Sequence, residues 1–151
     1  MKEESYMKSV PLVAVVLGSK SDQAVADSVT RELGKLGIPY EVKILSAHRT
    51  PKQLEEYVDS SNASVYIAIA GLAAHLPGFI ASRTLKPVIG VPISAKLGGM
   101  DALLSIAQMP PGVPVATVGV DNGENAALLA ARFLSLYDES VARALRDYKR
   151  G

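Results

Sequence analysis

Residues 12–37 read LVAVVLGSKSDQAVADSVTRELGKLG, and this stretch indicates the fold class. Its first six residues are apolar, which is typical of a strand that is buried on both faces. Gly18 ends this run, and Gly37 ends a second pattern in which apolar residues recur at helical spacing. The members of that pattern are Val25, Val29, Leu33 and Leu36. The stretch therefore predicts a strand over residues 12–17 and then a helix over residues 22–36.

The same alternation of strand and helix continues to the end of the chain. Further strands are predicted over residues 40–45, 65–70, 87–91 and 115–120. Further helices are predicted over residues 50–60, 76–84, 101–107, 124–136 and 139–149. Five βα units in succession predict an α/β fold, in which one five-stranded parallel sheet carries helices on both faces.

The helix over residues 50–60 has a clear start signal. Thr50 is predicted to be its N-cap, Pro51 its first residue and Gln53 the glutamine of a capping box.

The chain has 151 residues, which fits one domain with a proper buried core. We expect a disordered or extended tail over residues 1–10 and one α/β domain over residues 11–137. We expect residues 138–151 to form a C-terminal helix that packs on this domain or on a neighbouring subunit.

The composition excludes several functional classes. The chain has no cysteine, which rules out disulfides, thiolate nucleophiles and zinc ribbons. Its net charge of +1 gives no basic surface for a phosphate backbone, and its lack of tryptophan gives little aromatic surface on which bases could stack, so a nucleic-acid ligand is not expected. Apolar residues make up 48%, but their uninterrupted runs are too short to span a bilayer. We therefore expect a small-molecule ligand, no nucleic acid and no membrane, with part of the apolar surface covered by other subunits.

Residues 1–10 are polar and contain no apolar segment of the kind found in a secretory signal. We therefore expect the protein in the cytoplasm.

In open parallel sheets, ligands bind beyond the carboxyl ends of the strands, near the point where the strand order reverses. The loops that follow the strands are therefore the place to look for chemistry. The loop after the first strand reads GSKSD over residues 18–22 and leads directly into a helix. Its backbone N–H groups and hydroxyls suit a phosphate, although a helix cap formed by Ser21 or Asp22 explains the same residues equally well.

The loop after the second strand carries the sharpest signal. Ser46, His48 and Arg49 lie close together, just before the helix that begins near Thr50. Arginine offers a permanently charged fork for phosphate, and histidine is the side chain best suited to proton transfer near neutral pH. The alternative is an exposed turn with a solvated arginine, but the position after a central strand favours a functional role.

The loop after the third strand contains His75 between apolar neighbours. Its side chain alone indicates a structural histidine, and Gly71 permits close approach of the loop backbone. Two histidines without a carboxylate at ligand spacing make a poor metal site, so no metal is expected.

Four motifs together resemble the PurE-type 5-(carboxyamino)imidazole ribonucleotide mutases of purine biosynthesis, of the class I type. They are GSKSD at residues 18–22, SAHRTP at residues 46–51, AAHLPG at residues 73–78 and QMP at residues 108–110. The resemblance extends over residues 13–136 and implies a flavodoxin-like three-layer sandwich that assembles as a homo-octamer. It also implies an isomerase that moves a carboxyl group from the exocyclic nitrogen to the imidazole ring, with neither a metal nor an organic cofactor.

The resemblance assigns roles to eight residues. His48 is the expected catalytic proton shuttle, and Ser19 and Arg49 are expected to bind the 5′-phosphate. Asp22 is expected to bind the ribose hydroxyls, and Ser46 to support the phosphate end. The pocket for the migrating carboxyl group is expected to be lined by the loop that includes Gly71, His75 and Leu76.

Two other functions remain open on the same fold. One is a carboxylase that takes carbon dioxide directly, and the other is a non-catalytic module that binds nucleotide phosphates. The AAHLPG loop is similar to the mutase form, which favours the mutase. Ile69 and Leu72 stand where many relatives have glycine, so this loop is expected to have a different shape here.

Overall fold

The computed structural model describes residues 12–150, so the tail predicted over residues 1–10 lies outside the described part of the chain. Five strands alternate with six α-helices. The strands are β1 (Val13–Leu17), β2 (Tyr40–Ile44), β3 (Val65–Gly71), β4 (Val88–Ile93) and β5 (Ala116–Thr117). The helices are α1 (Gln23–Lys35), α2 (Pro51–Ser60), α3 (Leu76–Arg83), α4 (Met100–Ala107), α5 (Gly123–Ser135) and α6 (Glu139–Arg150).

All four strand pairings are parallel, and the strand order is β2-β1-β3-β4-β5. This is the order of the flavodoxin-like fold, so the predicted fold class is confirmed. The chain moves outward from β1 to β2 and then crosses back to β3 on the other side of β1. The order therefore reverses between β1 and β3, and the loops at their carboxyl ends form a crevice.

The sheet is buried on both faces by alternate residues of its central strands. Val13, Val15 and Leu17 of β1 belong to a cluster that also contains buried residues of α1 and α5. Ala14 and Val16 belong to a second cluster, which contains buried residues of α2, α3 and α4. The two-sided burial explains why β1 is a continuous apolar run instead of an alternating one.

The C-terminal helix α6 packs on the first of these clusters. Val141 is buried in it, and Ala144 and Leu145 are partly buried against it.

The last strand is much shorter than the sequence predicts. A strand was expected over residues 115–120, but only Ala116 and Thr117 pair with β4. Beyond them the chain still follows β4 through single bonds, from the Val118 N–H to the Gly90 carbonyl and from the Asp121 N–H to the Pro92 carbonyl. Because β5 lies at the edge of the sheet, nothing on its outer side completes a regular ladder within the described residues.

Within residues 12–150, none of the helices has the length and apolar character needed to cross a membrane.

Candidate active site

A cavity of about 530 Å³ lies at the carboxyl ends of β1, β2 and β3. The loops after these three strands form most of its wall, and Ala95 from the loop after β4 completes it. All eight residues that the sequence singled out line this one cavity: Ser19, Asp22, Ser46, His48, Arg49, Gly71, His75 and Leu76. The fold thus brings together residues that are separated by up to two strands along the chain.

The first loop is organised by Ser19. A short 3₁₀ turn, Lys20–Asp22, follows β1, and Ser19 is its N-cap. The Ser19 Oγ accepts hydrogen bonds from the backbone N–H of Ser21 at 3.4 Å and from the Ser21 hydroxyl at 3.1 Å. The hydroxyl proton of Ser19 therefore remains available for an anionic group in the cavity. Asp22 makes no capping hydrogen bond to α1, so a pure capping role for this carboxylate is wrong.

Asp22 is the one acidic residue of the cavity, and only 8% of its surface is exposed. Burial raises the pKa of its carboxyl group above the ordinary value. Three neighbours partly oppose this effect by stabilising the charged form: the Ser19 backbone N–H, the Arg49 charge and the Ser21 hydroxyl. The site thus holds a carboxylate whose charge is poorly solvated and which is suited to accept hydrogen bonds from a ligand.

We expect Asp22→Asn to increase the free energy of unfolding at neutral pH by about 1 kcal/mol, the usual scale of one stabilising substitution. A carboxyl group whose folded pKa is raised destabilises the fold when it is charged, and this effect disappears once it is protonated in both states. The difference in the free energy of unfolding between variant and wild type should therefore become smaller as the pH is lowered from about 7 to about 3, the range in which carboxyl groups titrate. Thermal unfolding across this range measures it.

The matched control is Asp27→Asn, because Asp27 is exposed on α1 and outside the cavity. It should change stability by less than about 0.5 kcal/mol. A destabilised Asp22→Asn at neutral pH, or a difference that grows in acid, would contradict the assignment of burial as the dominant effect.

The second loop is a compact turn over residues 46–50. The Ser46 Oγ accepts hydrogen bonds from the backbone N–H groups of His48, at 3.3 Å, and Arg49, at 3.1 Å. The Arg49 Nη2 donates to the Gly18 carbonyl oxygen at 2.9 Å, which ties this loop to the end of β1. The guanidinium is therefore held over the first loop with further N–H donors to spare.

The predicted capping box at the start of α2 is wrong in one respect. Thr50 does occupy the N-cap position and Pro51 the first turn, but the Thr50 side chain makes no cap hydrogen bond to the helix. Its hydroxyl points back to Ser46 instead, where it accepts from the backbone N–H at 2.9 Å and donates to the carbonyl oxygen at 3.2 Å. Pro51 therefore favours the start of the helix through its fixed φ, and the Thr50 hydroxyl stabilises the preceding turn instead of the helix.

The two histidines of the chain meet across the cavity. The Nε2 atom of His48 lies 2.6 Å from the Nδ1 atom of His75, and the rings are nearly perpendicular, at 80°. One nitrogen donates and the other accepts, so the proton between them couples the tautomers of the two rings. Sequence reasoning placed both residues in strand-end loops but did not detect this contact, which joins loops on either side of β1.

The third loop forms an apolar wall. Ala74 and Leu76 are buried, whereas Leu72 is 52% exposed and has a positive φ of 57°. A leucine in this conformation is strained, and such strain is found mainly at functional sites. Gly71 permits a close approach, as expected, but the approach is to the end of β4 and the loop after it: a Cβ atom there would lie 3.3 Å from the Cβ of Ile93 and 3.4 Å from the Cβ of Ala95.

Among residues 12–150, no three His, Asp or Glu side chains converge in a way that could hold a metal ion.

The fold and the cavity define a class of protein: a flavodoxin-like α/β protein whose candidate site lies where the strand order reverses. The family model described as AIR carboxylase matches residues 12–151. The chain is 56% identical to the N5-carboxyaminoimidazole ribonucleotide mutase of Methanocaldococcus jannaschii, across 91% of this chain and 88% of that protein. It is 51% identical to the mutase of the same name from Bacillus subtilis, across 91% of this chain and 88% of that protein.

The crystal structure of Treponema denticola PurE superposes with a TM-score of 0.79 at 36% identity, covering 93% of this chain and 90% of that one. The chain belongs to the AIR carboxylase family, to which the PurE proteins belong, and the resemblance seen in its motifs is confirmed.

Proposed function

We propose that this protein is the mutase that converts 5-(carboxyamino)imidazole ribonucleotide to 5-amino-1-(5-phospho-D-ribosyl)imidazole-4-carboxylate in purine biosynthesis. Relatives at 47% to 56% identity carry the name of this mutase. The observation that carries the proposal is the placement of an anion site, a histidine pair and an apolar wall around one cavity. These are the three parts that a carboxyl migration on a phosphorylated nucleotide needs.

The phosphate end is assigned to the first two loops. Ser19, Ser46 and Arg49 line the same cavity, and each has an O–H or N–H group that is not used in the hydrogen bonds described above. The two acceptor positions of the Ser46 Oγ are already taken by backbone N–H groups, so its hydroxyl can only donate to a ligand. A phosphate accepts such bonds strongly, and the Arg49 charge strengthens them. Asp22, as an acceptor, suits the ribose hydroxyls beside the phosphate.

Proton transfer is assigned to His48. In the proposed first step the imidazolium gives its proton to the exocyclic nitrogen as the N–C bond breaks, which releases carbon dioxide and leaves the aminoimidazole. In the second step ring carbon 4 attacks the carbon dioxide, and the now neutral imidazole removes the proton from that carbon. One histidine thus donates and then accepts the same number of protons, and no second acid is required.

The hydrogen bond to His75 holds the His48 ring through its Nε2 atom and couples its tautomer to that of His75. His75 is therefore assigned a role beside His48 and not at the phosphate. Leu72, Ala74 and Leu76 form the wall that keeps the released carbon dioxide beside its acceptor at high effective concentration.

A direct assay tests the function and separates it from the two alternatives. Purified protein is given the carboxyamino substrate or, separately, aminoimidazole ribonucleotide with saturating bicarbonate, and the ring-carboxylated product is followed. We expect the specificity constant to be clearly higher for the carboxyamino substrate. Equal or better use of aminoimidazole ribonucleotide would favour the carboxylase, and binding of both without product would favour a binding module.

We propose that the protein assembles as a homo-octamer. Two apolar surfaces support this. One consists of Leu97, in the turn before α4, and of Met100 and Leu104 on α4, which are 79%, 55% and 50% exposed. The other is edge strand β2, where Tyr40 and Ile44 are exposed. Apolar patches of this kind on a compact domain indicate contacts between subunits, and homo-oligomers form closed symmetric assemblies.

Light scattering should therefore give about eight times the chain mass of 15.9 kDa at micromolar concentration. Leu104→Glu should shift the distribution towards smaller species, because it places a charge in a desolvated contact. A wild-type monomer at that concentration would contradict the proposal.

We also place the protein in the cytoplasm, since a phosphorylated ribonucleotide substrate is charged and does not cross a bilayer unaided.

A further inference from the structure

The turn that carries His48 and Arg49 is closed by a side chain just outside the proposed catalytic set. Three hydrogen bonds join Thr50 to Ser46, two through the hydroxyl and one from the Thr50 backbone N–H to the Ser46 carbonyl oxygen at 3.0 Å. We propose that Thr50 is a positioning residue that sets the direction in which His48 and Arg49 leave the turn. This inference rests on the function proposed above.

The hydroxyl of Thr50 acts as acceptor and donor at the same time. It accepts from the Ser46 N–H at 2.9 Å and donates to the Ser46 carbonyl oxygen at 3.2 Å. Among the described residues, the Ser46 N–H has this hydroxyl as its partner, and both residues are half-buried. An apolar side chain of the same shape would leave that N–H without an acceptor, which is unfavourable for a sheltered backbone group.

Ser46 also constrains the backbone at His48 and Arg49. Its own hydroxyl oxygen accepts from the backbone N–H groups of His48 and Arg49. The backbone from residue 46 to residue 50 is thereby held from both ends, and the side chains of His48 and Arg49 reach out of this closed turn to other loops. Thr50 makes no capping bond to α2, so its hydroxyl serves the turn and not the helix.

The two side chains that leave this turn depend on accurate placement. His48 reaches His75 at 2.6 Å, and Arg49 reaches the Gly18 carbonyl oxygen at 2.9 Å, and both partners belong to other loops. A displacement of about 1 Å is enough to break either bond, and displacements of that size reduce catalysis by up to about 100-fold. A loosened turn should therefore impair proton transfer and phosphate binding together.

Thr50→Val tests the proposal, because valine keeps the branched shape and removes only the hydroxyl. We expect kcat to fall at least about fivefold and KM to rise in the same variant, while Thr50→Ser, which restores the hydroxyl, stays within about threefold of wild type. The matched control is Thr30→Val on α1, where a threonine hydroxyl donates to the Asp27 carbonyl oxygen outside the cavity. That variant should keep both kinetic constants.

A second measurement does not depend on turnover. Nitrogen-15 NMR of the two imidazole rings reports the hydrogen bond between His48 and His75, which should be lost or weakened in Thr50→Val and kept in Thr50→Ser and Thr30→Val. A Thr50→Val protein that keeps this signal, or that loses less than fivefold in kcat, would overturn the proposal, as would failure of Thr50→Ser to rescue. A wild-type protein without turnover but with the expected NMR pattern would instead count against the proposed reaction alone.

Discussion

His48→Asn is expected to lower kcat by about 10³-fold while the substrate still binds within about tenfold of wild type. An imidazole can donate a proton and take one back near neutral pH, His48 is the ring assigned to this step, and general acid–base catalysis contributes about 10²–10⁴-fold. Asparagine has a similar size but cannot exchange a proton. Binding should survive because the phosphate contacts are assigned to Ser19, Ser46 and Arg49. Single-turnover kinetics and a direct binding measurement separate the two effects.

The histidine pair supplies the control for this variant. His75→Asn removes the same ring-to-ring hydrogen bond but leaves the His48 imidazole in place. If His48 is the proton shuttle and His75 orients it, the loss of kcat should be much smaller for His75→Asn, on the order of tenfold. Retention of a tenth of wild-type activity by His48→Asn would remove His48 from the mechanism, whatever the behaviour of His75.

Arg49→Ala should mainly weaken binding of the substrate. It deletes a charge-assisted contact to phosphate that is worth about 1.5–3 kcal/mol, which corresponds to an increase of about 10–150-fold in the dissociation constant. The variant also loses the bond to the Gly18 carbonyl oxygen, so the first and second loops are less firmly joined. Titration with a phosphorylated ribose measures the phosphate contact directly, without the chemical step.

Two further substitutions sharpen this measurement. Arg49→Lys keeps the positive charge but loses the planar fork, so its affinity should fall between those of wild type and Arg49→Ala. Arg146→Ala removes an arginine whose partner is Glu139, at 2.7 Å on α6, and should leave the affinity unchanged. If Arg49→Ala hardly changes KM, the phosphate is held elsewhere and the assignment of the second loop is wrong.

The order of elements and the location of the site could be predicted from the sequence. The apolar run of β1 and the helical spacing of Val25, Val29 and Leu33 are local patterns, since burial on two faces and burial on one helical face leave different periodicities. Once five βα units are recognised, the parallel sheet follows, and with it the edge at which the loops gather. All eight candidate residues accordingly line one cavity, while their individual roles remain proposals.

The sequence patterns were less informative where a residue has two possible partners. Thr50 followed by Pro51 and Gln53 is a normal helix start, yet its hydroxyl bonds to Ser46. Both arrangements satisfy the hydroxyl, and only the path of the turn decides between them. The length of β5 belongs to the same group, because pairing depends on the neighbouring β4 and not on the strand propensity of residues 115–120.

The sequence by itself determined the α/β class, the strand-end loops and the chemical groups available there, because these depend on residue type and on short periodicities. Only the tertiary structure decided that His48 meets His75, that Arg49 reaches Gly18 and that Leu72 adopts a positive φ in the cavity wall. The two side-chain contacts join residues 27 and 31 positions apart. They exist because β2 and β3 flank β1 in the sheet, which brings the loops after these three strands together at one edge, and no local pattern records a distance between neighbouring parallel strands.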